Sequence, residues 1–167
     1  MRWPLLTAVI IGLVLIQTSA APTFEVLGVA PNLLLVALCA WAVVRPPGES
    51  MYLVPMAGIW VGLLSFQDMA VSVAAFAPVV VLAALRAQIA AHSEFAWMLA
   101  VVIGATVLHF LALATSVVAE GSRLGWTDAL TNVLMPSVLV NLLTALLVYW
   151  LVRLPTPRPQ PRRRRVV

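Results

Sequence analysis

Polar residues along the chain gather into short interruptions between six apolar stretches, at residues 4–20, 26–44, 51–66, 69–85, 97–119 and 129–152. The second stretch carries a bend at Pro31. A tight polar turn, Arg45-Pro-Pro-Gly48-Glu49, separates it from the third, because Pro-Pro-Gly does not continue a helix. A straight transmembrane helix needs about 20 apolar residues, with roughly 17 as the lower limit. The fifth and sixth stretches reach that length comfortably. The third falls short, and so does the second without its Pro31 flank; short segments of this kind persist when longer helices enclose them. The pattern predicts an all-α, polytopic membrane bundle of six transmembrane helices, with short segments inside and long ones outside.

Composition sharpens this picture. Hydrophobic residues make up 63% of the 167 and charged residues 10%, far from the balance that keeps a soluble domain in water. The length accommodates one membrane domain, residues 1–152, followed by a basic Pro/Arg-rich tail at 153–167. A single cysteine, Cys39, excludes an internal disulfide and a cysteine-based metal site, and its apolar setting reads as a buried, inert thiol.

Charge then sets direction. All ten basic residues are arginine, and six of them lie in the tail, whose alternating prolines preclude a packed helix or strand. With six spans and a cytoplasmic N-terminus, Arg2, Arg45, Arg86 and the six tail arginines fall inside. Only Arg123 falls outside. Nine against one is a positive-inside pattern, and it predicts a multi-pass protein with both termini in the cytoplasm. Beside a membrane helix, Arg162, Arg163, Arg164 and Arg165 read as contacts for anionic lipid headgroups rather than for nucleic acid. Arg2, the apolar run at 5–16 and Thr18-Ser-Ala20 resemble a secretory signal, but Pro22 follows the cleavage position, and the segment reads as a retained helix.

Within the apolar stretches a few residues stand out. Gly58 and Gly62 lie one helical turn apart, a spacing that lets another helix backbone approach closely; packing inside the bundle is the first reading and a partner helix the second. His109 shares a helical face with Ala105, Ala112 and Ser116, and at that depth it requires a hydrogen-bond partner, for which Asn132 or Asn141 is available. Asp68 stands in the turn before the fourth stretch, positioned to cap its N-terminus. Ser65, Ser72 and Ser116 are nucleophile candidates with His109, yet no GxSxG elbow, HExxH pair or phosphate-binding glycine loop accompanies them. The reading is non-enzymatic, with no cofactor and no metal. Trp126 and Phe24 are natural interfacial anchors, and residues 24–30 read as a short interfacial helical turn.

Three motifs carry a family resemblance. Leu27-Gly28-Val-Ala-Pro31-Asn32-Leu-Leu-Leu35 opens the second helix, Arg45-Pro-Pro-Gly48-Glu49 follows it, and Gly58-Ile-Trp-Val-Gly62-Leu63-Leu64 then leads to Asp68. In this order the chain resembles MreD, the rod shape-determining membrane protein family, best over residues 5–90; the last two helices match in hydropathy alone. It departs from that pattern at Asn32, where the family often has aspartate, and at Asp68, which falls a residue or two late. Ala70-Val71-Ser72-Val73 replaces the small residues that usually follow.

The resemblance implies a non-enzymatic scaffold of the bacterial cell-elongation machinery in the cytoplasmic membrane. Its implied partner is the bitopic protein MreC and, through MreC, the peptidoglycan polymerase RodA with its class B penicillin-binding protein; the filament protein MreB lies on the inner face. The family fold also looks like the substrate-binding subunits of energy-coupling-factor vitamin transporters, which supplies an alternative function. A scaffold predicts a solid interior with few buried polar groups. A vitamin-binding subunit predicts an outward-facing cavity with apolar walls and a few placed polar groups. The short outer loops favour the scaffold.

Overall fold

The computed structural model describes residues 2–20, 23–45, 47–65, 68–85 and 93–153. The tail arginines Arg162 to Arg165 lie outside the described residues, as do Arg86, His92 and most of the loop between the fourth and fifth helices. Among these described residues six helical segments follow one another. They are α1 (Arg2–Leu15, continued by a π-helical turn at Ile16–Ala20), α2 (Leu33–Val44), α3 (Pro47–Ser65), α4 (Met69–Ala84), α5 (Glu94–Ala119) and α6. The last is continuous over Trp126–Val152, with a π-helical turn at Leu130–Leu134. The described residues form an all-helical fold.

Two of these helices, α5 and α6, are long and apolar enough to cross a membrane; only 28% and 22% of their most apolar stretches are buried. The shortest helix is the most enclosed. Of the 12 residues of α2, eight are buried, and Leu34, Val36, Cys39 and Ala40 are completely so. Around them Ile10 and Val14 of α1, Leu53, Val54 and Ala57 of α3, Phe76 and Val79 of α4, Val101, Val102 and Ala105 of α5 and Tyr149 of α6 complete the core. A helix that presents apolar residues on every side requires apolar neighbours on every side, and α2 finds them in the other five.

Three sequence expectations are corrected. The helix α3 starts at Pro47, inside the segment expected to be a turn, because proline fits the first helical position, where its missing N–H is not needed. It is therefore 19 residues long, and α2, not the third segment, is the shortest. Residues 24–30 do not form an interfacial helical turn. Val26 and Val29 exchange backbone hydrogen bonds of 2.9 and 3.2 Å around Leu27 and Gly28, whose φ angles of +58° and +75° make a tight reversal that a helix cannot contain. Leucine is strained at such an angle and glycine is not.

The seam between α3 and α4 is set by glycine. A Cβ atom added at Gly58 would sit 2.6 Å from the Cα of Val73, and one at Gly62 would sit 2.8 Å from the Cα of Met69. The strip of small residues thus packs within the bundle, backbone against backbone. At the end where α2 finishes and α3 starts, Trp41 donates its indole N–H to Glu49 Oε2 at 3.1 Å, and the Arg45 guanidinium stacks over the Trp41 ring at 5.0 Å.

Candidate functional site

The short inner helix creates a local problem that its sequence solves. The first N–H groups of a helix have no partner within it, and α2 begins at a half-buried position beside the ends of other helices. Three side chains meet that demand. Asn32 caps its own helix, its Oδ1 accepting from Leu35 N at 3.0 Å. Asn141 of α6 reaches across, its Oδ1 accepting from the backbone N–H of Asn32 at 2.9 Å. Gln17, in the π-helical turn after α1, accepts from Leu34 N at 3.4 Å and donates to the Pro31 carbonyl at 3.2 Å.

From this cap the network runs into α5 and α4. Asn141 Nδ2 donates to Thr106 Oγ1 at 3.1 Å. His109 places Nδ1 3.0 Å from the Ala75 carbonyl oxygen of α4 and Nε2 3.4 Å from Asn32 Nδ2. A carbonyl only accepts, so Nδ1 carries the proton. Asn32 Oδ1 is already turned to Leu35, so its amide nitrogen faces His109 and donates to Nε2. This accounts for asparagine at position 32: an aspartate would cap the helix but has no donor for that ring nitrogen. Phe76 packs against the imidazole with ring centroids 4.9 Å apart.

The residues singled out by sequence separate into two sets. Asn32 and His109 are brought together, although 77 positions apart. Gly58 and Gly62 hold the α3–α4 seam, and Asp68 is an exposed cap, its Oδ1 accepting from Ala70 N at 2.7 Å and Val71 N at 3.3 Å. The partner expected for His109 is corrected: Asn132 is exposed, and Asn141, though buried, bonds to Asn32 and Thr106 instead. Gln17, Thr106 and Phe76 were not singled out. For Gln17 the signal was available, since an amide inside an apolar run requires partners; nothing in sequence marks Phe76.

Beside the network lies a half-open cavity of about 420 Å3, at the end of the bundle where α1 finishes and α2 starts. Gln17, Asn32, Ser72 and His109 supply its polar wall, and Val61, Leu64, Phe76 and Leu113 its apolar one. Ser72 and His109 share this cavity, yet both nitrogens of the imidazole are engaged by Ala75 and Asn32, which leaves none to take a proton from a serine. Among the described residues no group of three or more His, Cys, Asp or Glu side chains is placed to hold a metal ion. No family model, curated protein or solved structure matches the chain.

Proposed function

We propose that the chain is a six-span protein of the bacterial cytoplasmic membrane that works as a non-enzymatic scaffold of the MreD type, holding MreC and through it the cell-wall synthase. The observation that supports this reading is the outward face of α6. Met135, Leu139, Leu143, Leu147 and Leu151 recur at every fourth position, and each is more than half exposed. An apolar stripe running the length of a helix is stable against lipid or against another apolar helix, and against little else. The residues that carry the resemblance, Asn32, Gly58, Gly62 and Asp68, serve as caps and packing points, in keeping with a protein whose task is shape rather than chemistry.

Two experiments test this. Reporter fusions at each end read the topology: alkaline phosphatase fused to the C-terminus is expected to be inactive, and an active fusion would overturn the six-span reading. Co-expressed with MreC from the same genome, the chain is expected to retain it through purification in mild detergent. Loss of MreC, with retention of an energy-coupling-factor transport module, would favour the alternative of a small-molecule-binding transporter subunit. The observation in favour of that second reading is the cavity at the outer end of the six-span arrangement.

A further inference from the structure

The bond between Asn32 and His109 works in only one protonation state of the ring. In the neutral imidazole, Nδ1–H donates to the Ala75 carbonyl at 3.0 Å and Nε2 accepts from Asn32 Nδ2 at 3.4 Å. The same amide turns its Oδ1 to the Leu35 N–H at 3.0 Å and so caps α2. A second proton on the ring has one place to go, the Nε2 lone pair, and the imidazolium then donates from both nitrogens. Its new N–H meets the N–H bonds of Asn32, donor against donor. Turning the ring over changes nothing, because both of its nitrogens now donate. Turning the Asn32 amide brings Oδ1 to His109 but sets Nδ2 against the Leu35 N–H. The amide serves the charged ring or the helix, not both.

We propose that this pair is a proton-operated latch on the first turn of α2. While His109 is neutral, the Asn32 cap holds; when Nε2 binds a proton from water, the amide turns and the Leu35 N–H is released. One proton is taken up, and no other covalent bond forms or breaks. Both side chains are half-buried on the wall of the half-open cavity, which gives the proton its route. Serine is too weak an acid to displace the amide hydrogen from Nε2, whereas acidified water is not. No neighbour takes over the role of Asn32. The elements around the ring contribute Gln17 and Thr18 of α1, Ser65 of α3 and Ser72 of α4 to the wall, and no Asp, Glu, Lys, Arg or second His. Asn141 of α6 is bonded to the Asn32 backbone N–H and to Thr106. The release is local, because that bond and the one from Leu34 N to Gln17 remain. The latch depends on neither functional reading.

The test follows the Leu35 amide of the whole protein in detergent micelles, from about pH 8 down to about pH 4.5, a range that brackets ordinary histidine titration. At the upper end, nitrogen NMR of the His109 ring is expected to show the proton on Nδ1. As the ring takes up its second proton, hydrogen-exchange protection at Leu35, corrected for the intrinsic pH dependence of exchange, is expected to fall about fivefold, the usual effect of losing an N-cap. Two variants separate the latch from general softening in acid. His109→Gln, whose side chain does not titrate, is expected to keep Leu35 protection constant. Asn32→Asp supplies a carboxylate that accepts from Leu35 and from the imidazolium together, so its protection is expected to hold or rise on acidification. The latch is overturned if Leu35 protection is unchanged while the ring titrates, if the ring stays neutral throughout, or if His109→Gln loses protection as the wild type does. Should the glutamine variant not fold, a fall in Asn32→Asp equal to that of the wild type overturns it alone.

Discussion

Gly58→Leu is expected to lower the melting temperature of the purified protein by about 6–12 °C, the shift that corresponds to about 3 kcal/mol in a chain of this length. The reason is geometric. The first atom of any side chain at this position would lie 2.6 Å from the Val73 Cα and 3.0 Å from its backbone nitrogen. Neither can turn aside as a flexible side chain would. The two helices must separate along their whole seam, and van der Waals contact, the chief attraction between helices in lipid, is lost over that length. Gly62→Leu meets the Met69 backbone in the same way and is expected to behave alike. Gly12→Ala is the control, because nothing lies within 4 Å of its added Cβ; the better helix propensity of alanine makes it neutral or stabilising by up to about 1 kcal/mol. A Gly58→Leu protein that melts with the wild type would show that the seam tolerates separation and remove the glycine strip from the account. A protein that melts normally but no longer retains a partner that the wild type retains would assign the strip to a partner helix.

The second large effect is expected at Asn141. Asn141→Leu leaves the Asn32 N–H without its acceptor and removes the donor to Thr106, at a site that is 2% exposed. One orphaned buried donor costs about 2 kcal/mol, or about 4–8 °C in a chain of this size. Hydrogen-exchange protection is expected to fall first at the N-terminus of α2, because that is where the lost acceptor acts. Asn132→Leu, by contrast, changes an exposed side chain and is expected to stay within about 0.5 kcal/mol of the wild type. The pair makes a sharp comparison, since the two asparagines lie on one apolar stretch and are equivalent in sequence. Equal destabilisation by both, or by neither, would contradict the network.

The sequence by itself determined the number and order of the helices and which two of them are long; of the two segments expected to be short and inside, only α2 is so. Those properties are local. A run of apolar residues reports its own length, and Asp68 acts on backbone groups within a few positions of itself, whereas Pro47, expected in a turn, opens α3. Even the role of Gly58 and Gly62 was legible as close approach, though not the identity of the approaching helix. Tertiary structure decided what met what. Asn32 and Asn141 are 109 positions apart, and their bond exists because α2 and α6 lie side by side; no periodicity encodes that neighbour. Thus His109 was legible as a residue in need of a partner, but the choice of Asn32 and the Ala75 carbonyl over Asn132 or Asn141 depended on how α4, α5 and α2 converge. The cavity belongs wholly to this second class. An empty space has no residue of its own, and Ser72, legible in sequence only as a nucleophile candidate with His109, lines the cavity because of how α4 packs against its neighbours.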